Sequence, residues 1–188
     1  MGMYREMQET FINEYKERSQ PYKDRIVKWS AEAPIVRIDG PTNIARAREL
    51  GYKAKQGIVL ARVRVLGGNK MRPQASGGRK PSKSGRYFSR RKSSQAIAEE
   101  RVAKKFTNCE VLNSYFVGDA GANKFYEVIL VDRASPTIMS DPQYRGVIAQ
   151  RRRAERGLTR SGRKHRGLMT KGFGTEKFRP SKRKYDRS

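Results

Sequence analysis

Lysines and arginines set two apart beside glycines define the chemistry open to this chain. Gly51-Tyr-Lys-Ala-Lys-Gln-Gly57 can put Lys53 and Lys55 on one side of the backbone, and the flanking glycines let that backbone approach a phosphate. Arg62 and Arg64 repeat the spacing in the next apolar run. Denser cationic steps follow at Lys70, Arg72, Arg79, Lys80, Lys83 and Arg86, then at Arg90-Arg91-Lys92. A second series comprises Arg151-Arg152-Arg153, Arg156, Arg160, Arg163-Lys164-His165-Arg166 and Lys171. Clusters of this kind neutralise nucleic-acid phosphates, and Tyr87, Phe88, Phe173, Phe178 and Tyr185 lie among them as rings for base stacking. For each ring, an anchoring contact with protein is an equal alternative.

Catalytic patterns are weaker. Gly77-Gly-Arg-Lys-Pro-Ser82-Lys83-Ser84 resembles the phosphate loop Gly-x-x-x-x-Gly-Lys-Ser, but Ser82 stands where the second glycine is needed. A phosphate cradle also runs directly from a buried strand into a helix, and non-periodic sequence surrounds this segment instead. Gly172-Phe-Gly174 lacks the third glycine of a dinucleotide fingerprint and has no strand before it. His165, the one histidine, is flanked by cations and has no carboxylate nearby in sequence, which suits RNA contact better than acid-base catalysis. Glu99 and Glu100 are adjacent on a helical stretch and face different directions, so they read as solvated or ion-paired groups. Cys109 is the single cysteine, which excludes an internal disulfide and a cysteine-rich zinc module. No catalytic residue, metal site or cofactor is expected.

Charge is distributed in blocks. The 188 residues carry 43 Lys and Arg against 18 Asp and Glu, a formal net charge of +25. Residues 1–50 hold nine basic against eight acidic side chains, and 111–150 hold three against four. By contrast, 51–110 hold sixteen against three, and 151–188 hold fifteen against three. Blocks so unbalanced repel themselves unless a polyanion neutralises them, so a nucleic-acid partner is expected. The hydrophobic fraction of 36% lies below the roughly 45–50% of ordinary globular chains, counted on a slightly wider residue set. Part of the chain therefore lacks the apolar surface to pack alone. Runs such as Ile58–Ala61 and Val128–Val131 fall far short of the about 20 residues of a membrane span. The opening residues lack the layout of a signal peptide, and the reducing cytoplasm is the expected compartment.

These clusters need elements to hold them. Met3, Met7, Phe11 and Tyr15 recur every four residues, the stripe of an amphipathic helix over 3–18 that Pro21 helps to end. Pro34–Pro41 reads as a short strand, and Thr42 offers an N-cap to a helix over 43–50 that Gly51 closes. Over 57–66, Val59, Ala61, Val63 and Val65 alternate with Ile58, Leu60, Arg62 and Arg64, giving a strand with one core face and one half-cationic face. Residues 67–92 lose all periodicity and form a long basic loop. Ala98, Val102 and Phe106 mark a helix over 94–106, with Glu100 positioned to pair with Lys104. Glu110–Val117 and Lys124–Asp132 read as a strand hairpin joined through Gly-Asp-Ala-Gly-Ala-Asn. A short helix is expected over 151–156, closed by Gly157, and the remaining residues to the C-terminus have no sustained apolar face.

The expected class is α+β: a small antiparallel sheet with helices on one face, a long basic internal loop and an extended basic C-terminal arm. The expected division is an N-terminal helix and linker over 1–33, an α+β core over 34–134 containing the basic loop 67–92, and the arm over 135–188.

Several segments in order resemble the L15e family of large-subunit ribosomal proteins of archaea and eukaryotes. They are Gly51–Gly57, Ala98-Glu-Glu-Arg101, Val111-Leu-Asn-Ser-Tyr-Phe-Val-Gly118, Lys124-Phe-Tyr-Glu-Val-Ile-Leu-Val-Asp132, Arg156-Gly-Leu-Thr-Arg-Ser-Gly-Arg-Lys-His-Arg-Gly-Leu168 and the opening Met-Gly-Met-Tyr. The modest length and the partly acidic first fifty residues look more archaeal than eukaryotic. The resemblance implies a non-enzymatic constituent of the large ribosomal subunit, with a small α+β core, extensions threaded among rRNA helices, and neighbouring ribosomal proteins in contact. The expected role is to bind and stabilise large-subunit rRNA through the basic loop, strand edge and C-terminal arm, with no membrane and no small-molecule substrate. A DNA-compacting protein and an RNA-modifying enzyme are the competing classes. The first would lack the ordered family segments, and the second would need a nucleotide loop, metal cluster or acid-base constellation.

Overall fold

The run Phe125–Val131 is apolar on both of its alternating sides, apart from Glu127, and this decides the architecture. A strand of that kind needs cover above and below. The computed structural model describes residues 2–90 and 92–169. Its elements in chain order are α1 (Gly2–Glu17), α2 (Gln20–Ala31), β1 (Ile35–Ile38), α3 (Ile44–Glu49), β2 (Ile58–Leu66), β3 (Lys70–Met71) and β4 (Tyr87–Phe88). They continue with α4 (Ser94–Lys105), β5 (Cys109–Ala120), β6 (Asn123–Asp132), α5 (Pro136–Met139), α6 (Pro142–Ile148) and α7 (Arg160–His165).

Four strands form one antiparallel sheet in the order β1-β2-β6-β5, which puts β6 in its interior. On one face Ala61, Val63, Val65, Val111, Val128 and Leu130 bury against Ala98 and Val102 of α4. On the other, Leu60, Tyr115, Val117, Phe125 and Ile129 bury against Trp29 of α2, Ala47 of α3 and Leu50 just after it. The α+β class and small antiparallel sheet are as expected, but the helices cover both faces rather than one. Leaving Phe125 and Ile129 in water would forfeit roughly 1.5–3 kcal/mol each.

Strands β5 and β6 continue past the expected hairpin limits, so the turn shrinks to Gly121-Ala122. Register shifts at Leu112 and Val117 bulge β5. Both bulged side chains then face the α2–α3 side, where they join its apolar cluster.

Pro21 starts a helix instead of ending one. It occupies the first turn of α2, where its missing N–H has no partner to lose. Arg18, at φ 52°, turns the chain between α1 and α2. Its guanidinium donates to Tyr22 Oη at 2.6 Å and Asp119 Oδ1 at 2.8 Å, while the Tyr22 hydroxyl donates to the Asp119 carbonyl at 2.9 Å. The stretch expected to be a linker is thus the helix α2, docked on β5.

Residues 135–169 are not an extended arm. Three short helices fold there, with Ile138 and Tyr144 buried beside Val131 and Ala154 buried in the α4-side cluster. Isolated apolar side chains suffice because each fills a gap at the sheet end, without any helix needing a full apolar stripe. The expected helix over 151–156 is a series of turns, with Arg152 at φ 54°. Among the described residues, no helix is long and apolar enough to cross a membrane.

Candidate nucleic-acid interface

Two buried carboxylates fix the basic segment that follows α6. Thr159 caps α7 by accepting the Gly162 N–H at 3.2 Å, and its own hydroxyl donates to Glu99 on α4. Ser161 donates to Glu99 Oε2 at 2.9 Å, and Ser114 of β5 donates to Glu99 Oε1. The two Glu99 oxygens thus accept three hydroxyls at once. Burial pushes the Glu99 carboxyl above the usual carboxylate range, and the bonds from Ser114, Thr159 and Ser161 oppose that rise. Glu110, also buried, accepts the N–H groups of Arg152 at 2.9 Å and Arg153 at 3.2 Å.

With its inner side held, this segment turns its cations outward. Arg151, Arg152, Arg156, Arg160, Arg163, Lys164, His165 and Arg166 are exposed. Arg152 lies 3.9 Å from Glu155, and Arg166 reaches the carbonyls of Arg156 and Gly157 at 3.4 and 3.3 Å. Arg153 points inward and donates to the Val111 carbonyl at 2.7 Å; burial lowers its pKa, with Glu110 and Glu99 opposing.

The basic loop is a ribbon, not a featureless connection. Lys70 pairs with Phe88 and Met71 with Tyr87, and the Arg72 N–H bonds the Arg86 carbonyl at 2.9 Å. The Arg72 guanidinium stacks 4.2 Å from the Phe88 ring centre. Arg90 donates to the Leu66 and Gly67 carbonyls, both at 2.8 Å, fastening the ribbon's base. Lys92 pairs with Glu100 at 2.6 Å, which replaces the expected Glu100–Lys104 pair. Arg79, Lys80, Lys83 and Arg86 are exposed, and no ion pair among the described residues includes them. A cleft of about 730 Å³ between ribbon and α4 is lined by Lys70, Arg72, Phe88, Arg90, Lys92 and Ile97.

Four further cations expected to meet RNA are occupied within the fold. Arg62 stacks 4.6 Å from the Trp29 ring and pairs with Glu32 at 2.6 Å, its side chain only 12% exposed. Arg64 donates to the Ser30 carbonyl. Lys55 pairs with Asp141 at 2.7 Å and Lys53 stands 3.6 Å from the same carboxylate, both beside the Tyr144 ring. The Lys55 bond and the Gln143 N–H hold the Asp141 carboxyl below its ordinary range. Lys53 remains half-exposed and Arg64 partly so. Arg91 and Lys171, with Phe173, Phe178 and Tyr185, lie outside the described residues.

The fold also gathers groups that sequence reading passed over. Lys104 and Arg133 join Arg151 and Arg152 around a cleft of about 410 Å³. Arg46 of α3 joins Arg160 and Lys164 of α7 at another, of about 350 Å³. Arg46 sits in the near-neutral first block, so no local excess of charge marked it.

Known proteins are similar to this sequence over most of its length. The family model described as Ribosomal L15, the L15e type, matches residues 2–185. The large ribosomal subunit protein eL15 of Methanocella arvoryzae is 49% identical over 167 residues, covering 87% of this chain and 85% of the relative. The protein of the same name from Picrophilus torridus is 48% identical over 162 residues, covering 85% and 83%. With a family match over nearly its full length and two relatives near half-identity, this chain belongs to the L15e family of ribosomal proteins.

Proposed function

We propose that the protein is a non-catalytic structural constituent of the large ribosomal subunit, binding and stabilising large-subunit rRNA in the cytoplasm and supporting translation. The observation that carries this reading is the outward row of cations over 151–166, held from beneath by Glu99 and Glu110. A flexible basic tail would lose conformational entropy on meeting RNA, whereas a pinned segment has given up much of that freedom on folding. The exposed ribbon cations Lys70, Arg79, Lys80, Lys83 and Arg86 add a second phosphate-facing surface, with Arg72 and Phe88 presenting a stacked pair. Arg62, Arg64 and Lys55 act chiefly within the fold in this reading, and Lys53 retains access to a phosphate. Membership of the family supports neighbouring large-subunit proteins as further partners.

The test is binding of the full chain to a large-subunit rRNA transcript over a series of KCl concentrations, with duplex DNA as competitor. Affinity should fall steeply with salt, by roughly 0.7–0.9 log units per log unit of salt for each phosphate neutralised. Salt-independent binding would defeat the phosphate mechanism. Equal competition by duplex DNA would favour a DNA-compacting protein.

A further inference from the structure

The cleft between α3 and α7 gathers cations from separate parts of the chain. Arg46, Arg160 and Lys164 line it together with Gln95, Asn113 and Ser114, and no acidic side chain is among its lining residues. Arg160 and Lys164 are exposed, and no ion pair among the described residues includes them. Arg46 pairs with Glu49 on the exposed side of α3, an i,i+3 pair of the weak surface kind that a stronger anion displaces. Asn113 accepts the Ser114 N–H through Oδ1 at 3.0 Å, which leaves its amide NH₂ to donate. The cleft thus presents cations and a donor from three elements, α3, β5 and α7.

Its floor explains why it holds no negative charge. Ser114 and Ser161 line the cleft, and both hydroxyls donate away from it to Glu99, which is 1% exposed. The carboxylate that orients α7 is therefore hidden beneath the site it builds. Thr159, the cap of α7, is held by the same carboxylate.

We propose that this cleft seats the sugar-phosphate backbone of an RNA strand, with Arg46, Arg160 and Lys164 on its phosphate oxygens and Glu99 as the residue that positions α7. The proposal rests on the rRNA-binding reading and adds a specific contact from the near-neutral N-terminal block. RNA fits better than a protein partner because the lining combines three cations with amide and hydroxyl groups and has few large apolar side chains to bury, Leu50 and Met169.

The experiment measures retention of a large-subunit rRNA transcript by the full chain over a KCl series, comparing wild type with Arg46→Ala, Arg46→Lys and Arg48→Ala. Arg48 lies on the same helix, outside the cleft lining, and donates to the Tyr4 hydroxyl. Arg46→Ala should weaken binding about five- to tenfold and flatten the salt slope by roughly 0.7–0.9, the signature of one lost phosphate contact. Arg46→Lys should restore the slope, and Arg48→Ala should keep both slope and affinity. Steep salt dependence in wild type with Arg46→Ala indistinguishable from Arg48→Ala would overturn the cleft while leaving rRNA binding intact. Wild-type binding without salt dependence would overturn both readings. Glu99→Gln should weaken binding with the slope nearly unchanged, because it displaces cations without removing one; a slope as flat as that of Arg46→Ala would contradict its positioning role.

Discussion

At the scale of single residues, burial changes what a titratable group does. Glu99 and Glu127 are buried acids, and each is kept by donors that come from distant parts of the chain. Glu127 accepts the Thr42 N–H at 3.0 Å, the Thr42 hydroxyl and the Tyr115 hydroxyl. Burial raises its pKa, and burial with the Glu127 charge raises that of the Tyr115 phenol. Cys109 gives the clearest pH test. Burial pushes its thiol up to about 11, with Asp132 and Glu110 adding to the rise and Arg37 opposing it. The folded state therefore favours the protonated thiol, so the contribution is fully present below about pH 9 and is lost as pH rises towards about 11. Urea unfolding of wild type and Cys109→Ala at both ends of that window isolates the thiol from the tyrosines, which both proteins share. Wild type should lose about 1–2 kcal/mol more than the variant. Equal losses would show that the thiol ionises freely.

At the scale of elements, close backbone packing holds α7 alongside Glu99. A Cβ on Gly162 would stand 2.6 Å from the Gly157 Cα and 2.8 Å from its carbonyl carbon. Alanine would ordinarily gain about 1 kcal/mol over glycine inside a helix. Here the new methyl meets backbone, which cannot rotate away, and such overpacking costs about 1–3 kcal/mol. Gly162→Ala should therefore lower the thermal midpoint and weaken rRNA binding together; a gain in stability would mean that the Gly157 turn moves freely. Periodic elements were legible beforehand: the valine alternation gave β2, the four-residue spacing gave α4, and paired apolar runs gave the β5–β6 hairpin. The start of α2 was not, because Pro21 serves equally after one helix and at the first turn of the next. Nor were α5 to α7 as packed elements, since their short lengths carry no repeating stripe.

At the scale of the whole molecule, the basic C-terminal segment helps to complete the fold to which it is attached. Ending the chain after residue 150 would empty the Ala154 site and leave Glu99 and Glu110 without their Thr159, Ser161, Arg152 and Arg153 partners. Each such bond to a charged group contributes about 1.5–3 kcal/mol, and its loss adds to that of the Ala154 packing. The shortened protein should unfold at markedly lower temperature and lower urea, not merely bind RNA less well. An unchanged unfolding midpoint would show that 151–169 is dispensable to the core.

Periodicity and charge are local properties of a chain, and they were enough to establish the α+β class, the central hairpin, the cationic excess and its concentration into two blocks. The ordered family segments were legible for the same reason. Which cations face outward was settled only by packing. Arg62, Arg64 and Lys55 found Glu32, Ser30 and Asp141 across long separations, while Arg46 came from a balanced block to stand beside Arg160 and Lys164. A cation's availability depends on the acids, carbonyls and rings set next to it, and those neighbours are fixed by the closing of the sheet rather than by spacing along the chain.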